Sequence, residues 1–158
     1  MRCCRLLARS SGVNIAHVRS TIQELLAREH HFGKEMMLSV NFTSEPYVVP
    51  NTVDSIAFPF KVRHEGTDTS GGLHVGMMSA LADVYTTLHL WGVAPAQKHV
   101  SVDFNVVVHQ PLLPAHDAEM ITRVSKFGKR LAFTEFRVVD RADPSIVFAS
   151  GTHTKAIL

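Results

Sequence analysis

A chain of 158 residues is long enough for one domain with a sizeable core, and 46% apolar with 19% charged residues is ordinary globular composition. A formal net charge of +2 is too small to argue for nucleic acid as a partner. No apolar run reaches the roughly 20 residues that a bilayer-spanning helix needs.

The N-terminus carries Arg2, Arg5, Arg9 and Arg19 with Ser10 and Ser11, and no acidic residue before Glu24. That is the composition of a mitochondrial transit peptide, and the competing reading is a basic amphipathic helix kept on the protein. Residues 1–34 are therefore set apart as a basic segment and helix, and 35–158 as the main domain. A matrix location is expected, with the cytoplasm as the alternative. Cys3 and Cys4 are adjacent, a poor geometry for a structural disulfide, which suits a reducing compartment. The ten histidines show no HxxxH or Cys/His spacing, so no metal site is expected.

From Val13 to about His30, Val18, Ile22, Leu25 and Leu26 fall on one helical face. Residues 36–42, MMLSVNF, read as a first strand, and Thr43–Thr52, with two prolines and an Asn, as a loop. Val53–Val62 alternates, with Ile56, Phe58, Phe60 and Val62 on one face; Pro59 predicts an edge position or a bulge. After a loop at 63–72 comes VGMMSALADVYTTLHLW, a helix rich in Ala, Leu and Met that is apolar over most of its surface and so predicted to be buried. Further strands follow. Val100, Val102, Phe104, Val106 and Val108 are predicted to form one face opposite Ser101, Asp103, Asn105 and Val107. Ala118–Phe127 and Leu131–Asp140 flank the tight turn Gly128-Lys129-Arg130, and Ile146–Ile157 closes the chain. One apolar helix among so many strands predicts an α+β fold, a curved antiparallel sheet of five to six strands wrapped around one long central helix, with an additional N-terminal helix. Open sheet edges predict pairing with a second copy.

Asp83 is the only carboxylate in the central helix. A carboxylate in a buried helix is costly unless paired, hydrogen-bonded or used. The segment Gly71-Gly72-Leu73-His74-Val75-Gly76 before it combines backbone freedom with the unpaired N–H groups of a helix start. Base and oxyanion donor are thus expected close together. Lys126, Lys129 and Arg130 form a basic cluster suited to phosphate, although such a hairpin is commonly just solvated.

This segment and Asp83, together with SVDFNVVVHQP (101–111), KFGKRLAFTEF (126–136) and GTHTK (151–155), resemble the hotdog-fold acyl-CoA thioesterases of the thioesterase superfamily member 2 (acyl-CoA thioesterase 13) type. The likeness covers roughly residues 35–158. It implies hydrolysis of acyl-CoA thioesters by a homodimer, often a dimer of dimers, with active sites between subunits and no cofactor beyond the coenzyme A carried by the substrate. By position it implies Asp83 as the base, the Val75 N–H as the oxyanion donor, and His74 and Ser101 in supporting roles. His74 is expected to hold a backbone carbonyl. Coenzyme A contacts are implied at His109, Gln110 and Pro111, at Lys126, Gly128, Lys129, Arg130 and Leu131, and near Lys155. Two positions depart from the family pattern. Asp68 stands where an Asn is usual, and if it neighbours Asp83 one carboxyl of the pair should titrate high. Val75 replaces a glycine and adds a β-branched side chain beside the thioester carbonyl. These departures motivate a second reading, a structural or acyl-CoA-sensing hotdog subunit of a larger mitochondrial assembly.

Overall fold

The computed structural model describes residues 12–30, 32–52 and 54–158. The arginine-rich stretch at 1–11 behind the targeting expectation lies outside them. In chain order the elements are α1 (Ile15–Ala27), α2 (Phe32–Leu38), β1 (Val40–Phe42), β2 (Tyr47–Val48), β3 (Ser55–Val62), α3 (Val75–Val93), β4 (His99–Val108), β5 (Ala118–Phe127), β6 (Leu131–Asp140) and β7 (Val147–Ile157). The strands form one antiparallel sheet of seven in the order β1-β3-β5-β6-β7-β4, with β2 also on β3.

The helix α3 is the centre of the core. Met78, Leu81, Ala82, Tyr85, Leu88 and Leu90 are all buried, and Tyr85 stacks on Phe58 of β3 with ring centroids 4.5 Å apart. Its start is capped by His74, whose Nδ1 accepts the Gly76 N–H at 3.0 Å. Its end falls just before Pro95, which disfavours a helical Ala94. The helix α1 docks against the far end of α3: Asn14 N–H donates to the Gly92 carbonyl, and a Cβ on Gly92 would lie 2.6 Å from Val18. Arg19 fastens α1 to the loop between β1 and β2 through the Pro46 carbonyl and Glu45.

The sheet holds seven strands, not five or six, because the stretch around Thr43–Thr52 contributes a two-residue strand, β2, where a loop was predicted. Residues 36–38 belong to α2 rather than to the first strand; Met and Leu are good helix formers, and a partner strand is met only from Val40. Pro59 is in an interior strand, yet it faces the break between β1 and β2. There its carbonyl accepts the Thr43 N–H, and no neighbour requires the N–H that proline lacks.

The alternation predicted for β4 is broken. Ser101 pairs with Lys155, but Asp103 pairs with Thr154, so Val102 is an extra, bulged residue. The bulge brings Ser101 to the same face as Phe104, toward α3, and leaves Val100 and Val102 47% and 54% exposed. With Val107 and Val108 also exposed, β4 is a ten-residue apolar strand at the sheet edge.

Two histidines are sealed into this core. His89 Nδ1 is 2.8 Å from Thr122 Oγ1, and His153 Nδ1 is 2.8 Å from Thr86 Oγ1. Burial pushes both imidazoles from 6.5 down to about 4, with the nearby Lys155 ammonium adding to the effect at His153. In the unfolded chain each takes a proton near 6.5, whereas the folded chain resists until about 4. The unfolded state therefore binds more protons in that window, and stability falls as pH drops through it, by up to about 1.4 kcal/mol per pH unit for each group. Urea midpoints should decrease steadily from pH 7 to pH 4.5, and Thr122→Val with Thr86→Val should alter that slope. A flat profile would contradict the burial of neutral imidazoles.

Candidate active site

The central helix presents one incompletely covered stripe, through Gly76, Ser79, Asp83 and Thr87, at spacings of three and four residues. Asp83 is the only carboxylate on it and has a half-exposed side chain. Three side chains of the sheet converge on its Oδ1. Lys155 Nζ lies at 3.0 Å, Ser101 Oγ at 3.3 Å and His153 Nε2 at 3.6 Å. Lys155 Nζ and His153 Nε2 also reach Ser101 Oγ, at 3.1 and 2.9 Å.

The proton positions follow from a chain of single donors. Thr86 Oγ1 is 2.7 Å from the Ala82 carbonyl, which can only accept, so the threonine hydrogen goes there. Thr86 must then accept from His153 Nδ1–H. In the neutral imidazole this leaves Nε2 as an acceptor, and Ser101 donates to it. The Ser101 lone pairs accept from Lys155, whose ammonium also donates to Asp83. A buried threonine on α3 thus sets the tautomer that orients a serine on β4. His99 lies at the same end, with a ring centroid 5.6 Å from that of Trp91; burial, and secondarily Lys155, holds its imidazole below the usual range.

The residues expected at the helix start form a separate group. His74 is exposed and caps the helix, accepting a backbone N–H rather than holding a carbonyl as predicted. With Nδ1 occupied, its neutral ring carries the proton on Nε2, facing outward. A side chain on Gly76 would meet that ring at 3.1 Å, so the glycine makes room for the cap. The Val75 N–H has no hydrogen-bond partner among the described residues, and its side chain is 49% exposed. The loop before it turns on Gly71, whose φ of 79° suits glycine, and Gly72 packs against Pro111 so closely that a Cβ would lie 2.9 Å away. His109 and Gln110 are fixed by Ser150 and by the Val147 carbonyl, and with Pro111 they border the same cleft as Asp68 and Val75.

Asp68 does not form a carboxylate pair with Asp83 within one chain. Its Oδ1 accepts from the Ser70 N–H at 2.8 Å and the Ser70 hydroxyl at 2.6 Å. These bonds hold its carboxyl below the ordinary value, the opposite of the expected rise. A side chain that can close an Asx turn finds its local donors first.

Val75 and Asp83 are eight positions apart on one helix, about 12 Å along the axis. A single copy therefore does not place both on one thioester. The basic hairpin sits with the Asp83 group. Gly128 N–H closes the turn onto the Leu131 carbonyl, Lys126, Lys129 and Arg130 are exposed, and Leu131 pairs with Ala156 next to Lys155. Lys155 itself does not join that surface. It is 4% exposed and held against Asp83. His153 and Thr86 were not picked out from sequence. The available signal was a His two residues before a Lys on a strand predicted to face the helix, and it gains meaning only once the register is known. Among the described residues no group of three His, Cys, Asp or Glu could hold a metal ion.

A long helix gripped by a curved antiparallel sheet, with its one acidic residue turned to an open stripe, defines the hotdog thioesterase class. Solved structures agree on the fold: zebrafish thioesterase superfamily member 2 superposes with a TM-score of 0.76 at 23% identity, over 92% of this chain and 99% of that one. The mouse thioesterase superfamily member 2 gives 0.70 at 24% identity, over 90% and 96%. In sequence, human acyl-coenzyme A thioesterase 13 is 35% identical over 95 residues, 60% of this chain and 67% of that protein. No protein-family model matches the chain. The chain belongs to the acyl-coenzyme A thioesterase 13 family.

The relay gives a direct test. Thr86→Val keeps the shape but removes the acceptor for the buried His153 N–H. A loss of about 1–3 kcal/mol is expected, the cost of an unsatisfied buried donor, measured as a lower urea midpoint at pH 7. An unchanged midpoint would mean that His153 does not depend on Thr86.

Proposed function

We propose that this protein hydrolyses acyl-CoA thioesters to a free acid and coenzyme A. The observation that carries the reading is Asp83: a carboxylate on the open stripe of an otherwise buried helix, fixed through one oxygen by Lys155, which Ser101 in turn holds. The relatives named acyl-coenzyme A thioesterase support the substrate class. In this reading a water on Asp83 attacks the thioester carbon as the carboxylate takes its proton. An N–H at a helix start, that of Val75, meets the negative charge growing on the carbonyl oxygen. The C–S bond then breaks and the thiolate of coenzyme A departs. The exposed cations Lys126, Lys129 and Arg130 supply charge for its phosphates, beside the Asp83 end of the cleft. A purely structural or sensing role is not favoured, because nothing in a scaffold would require a polar relay aimed at a half-exposed carboxylate. Asp83→Asn should preserve the fold and lower the hydrolysis rate about a hundredfold or more, in the range of a positioned base. A panel of short, medium, long and aryl acyl-CoAs measures it, and near wild-type turnover by a folded variant would sink the assignment.

The 12 Å gap along α3 supports a homodimer as the working unit. Two copies with antiparallel central helices would bring the Asp83 of one beside the Val75 N–H of the other. The exposed valines of β4 offer an apolar edge for that pairing. A dimer of dimers and a role in lipid metabolism follow from the same family reading, and the arginine-rich N-terminus supports a mitochondrial matrix location. Sedimentation at micromolar concentration should give a dimer or larger, and Val102→Lys with Val107→Lys should shift it toward monomer with loss of hydrolysis. An active monomer would contradict the shared site.

A further inference from the structure

We propose that Lys155 is a positioning residue for the hydrolysis: its buried ammonium holds Oδ1 of Asp83 from beneath and so reserves Oδ2 for the attacking water. The inference rests on the reading of Asp83 as the base. The polar atoms near the Asp83 carboxylate among the described residues, Lys155 Nζ, Ser101 Oγ and His153 Nε2, all lie at Oδ1, and the ammonium is the one that donates to it. All three lie on the sheet side. The carboxylate is half-exposed while the lysine is 4% exposed, so solvent reaches the acid from the side opposite the ammonium. A carboxylate fixed through one oxygen keeps its plane and presents the other in one direction, which is what an oriented water attacking the carbonyl carbon requires.

The chain builds this arrangement through strand register. Lys155 pairs with Ser101 on one side and Ala132 on the other, so it rises from the middle of three strands, on the same face as Ser101 and toward α3. Two of its three donors are already engaged, by Asp83 and by Ser101. A phosphate would have to displace Asp83 to reach it, which separates Lys155 from the exposed cations of the β5–β6 hairpin. The charged and titratable groups facing it are Asp83 on α3, His153 on its own strand and His99 on β4, with Asp103 of β4 acting on His153. Burial, assisted by Lys155, keeps both imidazoles below their usual range, so near neutral pH the lysine is the cation of this cluster. Burial also brings the Lys155 ammonium itself below the ordinary lysine value, with Asp83 opposing the shift.

The test is Lys155→Met, which keeps the unbranched stem and removes the charge, studied beside the untouched protein with a turned-over acyl-CoA. A positioning role predicts that kcat falls about ten- to a hundredfold while KM changes less than about threefold. In the Asp83→Asn background the same substitution should cost little more, because both act through one carboxylate. After correction for spontaneous hydrolysis, the wild-type kcat should decline on the alkaline side as Lys155 loses its proton, and Lys155→Met should lack that limb. Lysine ¹³Cε resonances of the wild-type protein should show one amine titrating with the same midpoint as the limb, a readout that does not require the variant to fold. A wild-type kcat in Lys155→Met, a raised KM alone, or an amine midpoint apart from the alkaline limb would overturn the inference and leave the thioesterase reading intact. Absence of turnover in the untouched protein would overturn both.

Discussion

Enclosure of α3 is the constraint from which the remaining structure follows. A nineteen-residue helix that is apolar on most sides cannot be covered by one flat layer. The sheet bends around it, and the bend is helped by extra residues in β4, β5 and β7, where the pairing register shifts. Burying aromatic rings such as Tyr85 against Phe58 removes large apolar areas from water, each worth on the order of 2–3 kcal/mol. The wrapping is incomplete along a single stripe, and that stripe carries Asp83. The same packing that stabilises the domain therefore decides where a charge is allowed to remain.

That charge is supported from within. Burial of His153 and Lys155 has opposite consequences: the imidazole stays neutral and relays hydrogen bonds, while the ammonium stays beside a carboxylate that reaches solvent. Ion pairs of this kind add little net stability, because desolvation offsets the attraction. Their effect is directional, as they fix one carboxylate oxygen and leave the other free. The other half of the chemistry, a free N–H at a capped helix start, lies at the opposite end of the visible helix face. A helix is rigid over this distance, so a single copy does not close the gap.

Much of this was legible in the residues. The long apolar helix, the paired strands on either side of Gly128-Lys129-Arg130, and Asp83 as an isolated carboxylate all followed from periodicity and composition. The glycine-rich approach to Val75 was equally plain, because Gly71 and Gly72 serve a tight turn and a close contact with Pro111. Contacts were less legible. Within one copy Asp68, whose neighbourhood to Asp83 was the open condition, satisfies itself locally on Ser70. His74 was expected to donate, yet it accepts. The face assignment of Ser101 was wrong, because strict alternation cannot reveal an inserted residue such as Val102.

The sequence by itself determined the type of fold, the buried helix, and the residue types available for thioester chemistry. Those properties depend on hydrophobic period and local turn chemistry, which act over a few residues. Tertiary structure decided which of them meet. Lys155 and His153 come from one strand and Thr86 from the helix, with Lys155 72 positions from the Asp83 it meets, and only the register of β7 against β4 and β6 turns that strand's side chains toward Asp83. A shift of that register by one residue would send Lys155 to the outer face and leave the carboxylate without a cation, since neighbouring residues on a strand point to opposite sides.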